Sequence, residues 1–302
     1  GDTPTLSTRY KNTTADGMNY SFNVMHGNDT NPWVDTHWEL ATSGAILYET
    51  AFASSVYTTN NLNLAGNTAG TDVGGSVGAA GGADAKTAVF VMEEKLNKIT
   101  QIGGSFDTAI ETAAFGPMVL RGEALYQKDV MSPVITRKDS TGIDLNHGFL
   151  VSALKMQKGD RFKYVLGADI TALTNMMISA QFIQDRNLDF VDTGNKDTTN
   201  WKYTGDFATM SITNNLNKAQ ENKEFYSLFL SKPFGASGEH RWNNIFMYED
   251  QGGKWNRLDA EFSINDDTQA TLEWNKYFGD ENTQFGQLSK SSNVQVGVKY
   301  SF

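Results

Sequence analysis

The 302-residue chain has no cysteine, which removes disulfide frameworks and thiolate metal sites from consideration. Its four histidines, His26, His37, His147 and His240, are scattered, and no pair has metal-ligand spacing. The acidic turns Asn28–Asn31 and Asp139–Asp144 hold oxygen ligands suited to Ca²⁺, but loop polarity explains them equally well. No Gly-x-Ser-x-Gly elbow and no ordered Ser-His-Asp set is present. Gly74-Gly75 and Gly103-Gly104 lack the Lys-Ser/Thr that a phosphate loop requires. The expectation is therefore a protein that is not an enzyme and uses neither metal nor cofactor.

A basic excess is missing too. Lys and Arg total 25 against 35 Asp and Glu, a formal net charge of −10. Nucleic acid is excluded as a partner on this ground, as is electrostatic adhesion to an anionic lipid surface. No apolar run approaches the roughly 20 residues of a spanning helix. The chain opens Gly1-Asp2-Thr3-Pro4 with no signal peptide, as a processed or trimmed chain would.

What is abundant points elsewhere. There are 18 Phe, 11 Tyr and 6 Trp, with 28 Gly and only 5 Pro, a balance that suits β-structure. The dominant pattern has period two. Leu258, Ala260, Phe262 and Ile264 alternate with Asp259, Glu261, Ser263 and Asn265. After the turn Asp266-Asp267, Ala270, Leu272 and Trp274 alternate with Thr271, Glu273 and Asn275. At the end, Val294, Val296, Val298, Tyr300 and Phe302 alternate with Asn293, Gln295, Gly297, Lys299 and Ser301.

Weaker strands are read over Thr5–Thr14, Met18–Asn28, Thr100–Ile110, Pro117–Lys128, Phe162–Ala172, Met176–Asp189, Phe207–Leu216, Glu224–Lys232 and Arg241–Asp250. That gives about 12 strands, within the range of membrane barrels. Very short connections (Ala15-Asp16, Asp266-Asp267) contrast with long polar ones (Asp192–Trp201, Gly279–Ser292). Asn60–Asp84 reads as an external loop or low-complexity insert. In Ala85–Ile99, Val89, Met92, Leu96 and Ile99 fall at helical spacing, so a small helix in the lumen competes with a strand. Leu150–Lys158 is a second segment open to either reading. No composition break divides residues 1–302 into two domains, and residues 60–99 are expected to form a long loop or plug-like insert.

A soluble β-sandwich also alternates. Three features favour a membrane barrel. The polar faces carry charge, at Arg121, Glu123, Asp169, Asp259, Glu261, Glu273 and Lys299, which fits a wet lumen. Aromatics gather near strand ends, at Trp242, Tyr248, Trp255, Trp274, Tyr277 and Tyr300, as a girdle at the membrane boundary does. The chain also ends in Phe302 directly after an alternating strand, a form that resembles the signal read by the barrel-assembly machinery.

Arg121 and Glu123 share a strand face and both should enter the lumen. They are read either as a selectivity-setting charge ring or as members of a structural ion-pair network.

Three stretches carry a family likeness: Gly116-Pro117-Met118-Val119-Leu120-Arg121-Gly122-Glu123-Ala124, Tyr164-Val165-Leu166-Gly167-Ala168-Asp169, and Phe285-Gly286-Gln287 followed by Val296–Phe302. In these the chain resembles the proteobacterial outer-membrane family catalogued as domain of unknown function 1302. The resemblance implies a porin-like barrel with no established substrate. A looser likeness, secured by no motif, is to the amyloid-secretion channels of pseudomonads, plugged barrels that associate as trimers.

The expected fold is thus an all-β, antiparallel up-and-down transmembrane barrel in the outer membrane of a Gram-negative bacterium. Its expected role is passive diffusion or uptake of small solutes. The alternative is a secretion channel or scaffold for a partner protein. Expected partners are outer-membrane lipid and lipopolysaccharide, the assembly machinery, and small solutes or an exported protein. A homo-oligomer fits the same reading.

Overall fold

The computed structural model describes residues 4–40, 46–47, 88–137, 154–194, 201–206 and 218–301. The strands are β1 Leu6–Thr13, β2 Asn19–Asn28, β3 Trp33–Leu40, β4 Ile46–Leu47, β5 Ala88–Lys95, β6 Lys98–Thr112, β7 Gly116–Arg137 and β8 Leu154–Ala172. They continue with β9 Met176–Asn187, β10 Asp192–Thr193, β11 Trp201–Thr204, β12 Asn222–Phe234, β13 His240–Glu249, β14 Lys254–Asn265, β15 Thr268–Phe278 and β16 Asn293–Tyr300. Among the described residues the one helical element is a short 3₁₀ segment, Gly286–Ser291.

Eleven strands form one antiparallel meander in the order β1-β2-β6-β7-β8-β9-β12-β13-β14-β15-β16. The short β10 pairs with β11, and β11 extends the far end of β7. A smaller sheet, β4-β3-β5, stands beside it. Because every step is antiparallel, the end strands β1 and β16 run in the same direction. No ladder joins them among the described residues.

Alternation fixes which side of each strand is apolar, and register carries that choice across the sheet, since residues directly opposite share a face. Tyr10, Phe22 and Gly104 lie in one row. Leu166, Phe182, Tyr226 and Tyr248 lie in another. Ala260, Leu272 and Val296 lie in a third.

These apolar rows are not buried. Leu6 and Val296 are each 76% exposed, and Phe22, Leu166, Leu258 and Leu272 are exposed as well. The buried residues combine apolar Ile99, Val134, Ile135, Met176, Tyr203 and Phe285 with polar Ser21, Ser132, Ser179, Asn187, Ser231, Glu249 and Asn275. So many large apolar side chains exposed in continuous rows depart from a water-soluble fold, in which such side chains fill the interior.

The short connections gather at one end of the meander: the turns after β1, β6, β8, β12 and β14. Gly17 (φ 89°) makes the first of them possible, and Leu173, Thr174 and Asn175 all take positive φ in the turn from β8 to β9. The connections leaving β2, β7, β9 and β15 lie at the other end and are longer. The turn between β13 and β14 is the short exception at that end.

Three expectations change. Residues Ala88–Lys95 and Lys98 onward are strands, so the helix considered for Ala85–Ile99 is replaced by β5 and the start of β6. The helix considered for Leu150–Lys158 gives way, from Leu154, to β8. β7 runs on to Arg137, well past Lys128. It does so through a bulge between Gln127 and Val130, where Asp129 takes φ 65°. Phe207–Leu216, Asp139–Asp144, His147, Phe302 and most of the 60–99 insert lie outside the described residues.

Candidate functional site: a charged inner face

The polar sides of the meander share one concave surface. Arg9 on β1 and Phe225 on β12 line the same cavity of about 650 Å³, together with Glu123, Lys163 and Asp185. Seven neighbouring strands laid flat would separate β1 from β12 by about 29 Å. The sheet therefore curls toward its polar side. A second cavity, of about 480 Å³, shares Lys163 and Asp185 and adds Arg161, Lys223 and Gln284.

All seven charged residues singled out in the sequence lie on this face, by strand parity and register. They do not form one ring. Arg121 pairs with Asp169 on the neighbouring strand at 2.7 Å and reaches the Ser179 hydroxyl at 3.5 Å. Glu123 has no ion pair among the described residues and opens onto the larger cavity. Asp259 accepts from the Asn243 amide at 2.7 Å. Glu261 accepts from Gln269 at 3.4 Å. Lys299 lies opposite Gln269 on the last strand.

Two ion clusters bring in residues that the sequence did not single out: Arg257 in one, and Asp185, Arg161 and Lys163 in the other. The Arg257 guanidinium bridges Asp259 at 3.4 Å and Glu273 at 2.6 Å, and Glu273 also accepts from Asn275. Asp185 takes both Arg161 and Lys163 at 3.2 Å. The signal was present: Arg257 sits two residues before Asp259, so it must share its face. These pairs are half-exposed to the cavity, so each contributes modestly to stability, on the order of 0–1 kcal/mol. Their larger effect is to keep charges of both signs close together on the polar face.

The girdle residues divide. Trp242, Tyr248, Trp274 and Tyr300 lie on the apolar face. Trp255 and Tyr277 lie on the polar face instead, in the parity of Arg257 and Asn275. There they stack with centroids 6.1 Å apart and 6° between planes, and the Trp255 indole N–H donates to Asn275 at 3.2 Å. Phe285 joins them at 6.3 Å and meets Phe225 edge-on at 6.0 Å. An aromatic cluster thus stands on the inner wall at the end that carries the long connections.

Among the described residues no group of His, Asp and Glu has the makings of a metal site. His26 bonds Thr100 at 2.9 Å, and His240 lies 3.7 Å from Glu239.

The sequence model of a family described as "Protein of unknown function (DUF1302)" matches residues 5–302. No curated protein matches the chain. Among solved structures, the crystal structure of the Ralstonia pickettii toluene transporter TbuX is similar at 12% sequence identity and a TM-score of 0.34. The alignment covers 90% of this chain and 61% of that one.

Proposed function

The chain belongs to the DUF1302 family, and from that premise and the inverted faces of its sheet we propose that it forms an outer-membrane β-barrel channel. The observation that carries the reading is the pairing of exposed apolar rows on one side with ion clusters around shared cavities on the other. In hydrocarbon no water reaches backbone groups, so a spanning sheet must seal its edges. The lipid then meets apolar side chains at every second position, which is why mean hydropathy stays at −0.43. The short turns would face the periplasm and the long connections the exterior.

The function is passive diffusion or uptake of small polar solutes along the charged wall. Both signs of charge line the cavities, so neither cations nor anions are rejected outright. Lipid and lipopolysaccharide cover the apolar face, and the last strand is the segment offered to the assembly machinery. The cavities favour this reading over a scaffold barrel, whose interior has no need of water-filled space.

Liposome swelling tests it. Purified protein reconstituted into liposomes should admit small sugars and amino acids at rates that fall with solute size. Absence of flux for every solute smaller than a disaccharide would end the channel reading.

A further inference from the structure

The connection from β15 to β16 does not project away from the sheet. It folds back over the polar face. The Gln284 backbone N–H donates to both carboxylate oxygens of Glu249, at 2.8 and 3.1 Å, and the Phe285 N–H faces the same group. Glu249 is an inner-face residue at the end of β13 and is only 2% exposed. The Phe285 ring, 7% exposed, is wedged between Phe225 and Trp255, both on the inner wall. Gln284 in turn lines the 480 Å³ cavity with Arg161, Lys163 and Lys223, which come from β8 and β12. The segment therefore reaches across the concavity toward strands well removed from its own hairpin.

Its shape is fixed from within. The Thr283 hydroxyl donates to the Asp280 carbonyl at 2.7 Å and accepts the Gly286 N–H at 3.0 Å. Gly286 is buried, and a Cβ there would run into the Asp280 carbonyl. Gly279 enters the turn with φ 125°. A buried carboxylate holding two backbone N–H groups makes charge-assisted bonds, stronger than neutral ones.

We propose that Gly279–Ser292 is the constriction of this channel and that Glu249 and Phe285 are the residues that position it, so that this segment sets the size of solute admitted. The proposal rests on the channel reading and adds to it the element that limits passage.

The test uses the full chain in planar bilayers, with a cysteine-labelling arm that does not depend on conductance. Because the chain has no cysteine, Gln284→Cys provides a single reporter for a water-soluble maleimide. Gln284 is exposed but its backbone is held by Glu249, so in that background Phe285→Ala, Gly286→Ala and the shape-conserving Glu249→Gln should each change the labelling rate. Without the reporter, the same three changes should raise single-channel conductance by about 1.5-fold or more and admit larger solutes. Asp266→Asn, in the exposed turn between β14 and β15 at the opposite end of the sheet, should do neither.

Changed labelling with parental conductance and size limit overturns the constriction, as does unchanged labelling in all three variants. A parent that conducts nothing overturns the channel reading and this proposal with it. A parent that conducts normally beside unaltered variants overturns this proposal alone.

Discussion

Arg121 on β7 pairs with Asp169 on β8, 2.7 Å away, and not with Glu123, its neighbour on the same strand face. The residue opposite Arg121 is Gly167, and Asp169 sits one diagonal step along. The gap at Gly167 leaves the guanidinium room to lean over. Glu123 is left facing the cavity without a cation of its own among the described residues.

This relationship separates two effects. The Arg121 side chain is 46% exposed, so a double-mutant cycle between Arg121→Ala and Asp169→Asn should return a coupling below about 1 kcal/mol. Ion selectivity should respond more. Arg121→Ala leaves Asp169 and Glu123 as net acids and should shift the reversal potential toward cation preference. Glu123→Gln should shift it the other way, because no partner compensates for the lost charge.

Position along the pleat should decide what a charge costs. Leu272, on the apolar face opposite Ala260 and Val296, should tolerate arginine poorly. In lipid vesicles Leu272→Arg should lose about 2–4 kcal/mol, as charges near a bilayer midplane do. Thr271→Arg, one residue away and opposite Glu261, should change stability little. Denaturant titration of both variants in the same vesicles makes the comparison.

Gly122 on β7 lies beneath the ring of Phe106 on β6, its register partner. A Cβ at Gly122 would collide with that ring. The aromatic covers the bare backbone of a strand glycine and fixes register there. Gly122→Val should therefore destabilise by about 1–3 kcal/mol, the cost of overpacking. A smaller neighbour, in Gly122→Val with Phe106→Ala, should recover part of that loss in the same unfolding measurement.

The turn between β12 and β13 carries a modest pH signal. Glu239 is held below the ordinary glutamate range first by its own backbone N–H and then by that of Ser237, with the Ser237 hydroxyl assisting. A depressed carboxyl pKa contributes stability above the unfolded value and loses it as pH falls through the folded one. Ser237→Ala should raise the Glu239 pKa in a carboxyl NMR titration while keeping it below the unfolded value.

Much of this fold was legible because one period governs it. The alternation over Leu258–Ile264, Ala270–Asn275 and Val294–Tyr300 lies within β14, β15 and β16, and in each the apolar set falls on one face. The reading stopped at Lys128 because the bulge at Asp129 adds a residue and exchanges the two faces, so the pattern breaks while the strand goes on. A similar break left the segment around Leu96 open between helix and strand. β5 ends at Lys95 and β6 begins at Lys98, and splicing the two strands yields a false helical spacing. Trp255 and Tyr277 were assigned by nearness to strand ends. Parity with Arg257 would have placed them on the inner wall. Glu249 and Phe285 gave no local signal, since a contact between the end of one strand and the middle of a later connection is set by the curl of the sheet.

The most direct test is a single-cysteine scan of β15 and β16 in lipid, where the absence of native cysteine leaves no background. Labels at Leu272, Trp274, Val296 and Val298 should be quenched by a lipid-borne quencher and shielded from aqueous maleimide. Labels at Thr271, Glu273, Gln295 and Gly297 should show the reverse. Equal access from water at all eight positions would contradict the account and make the exposed apolar rows the surface of something other than a membrane wall.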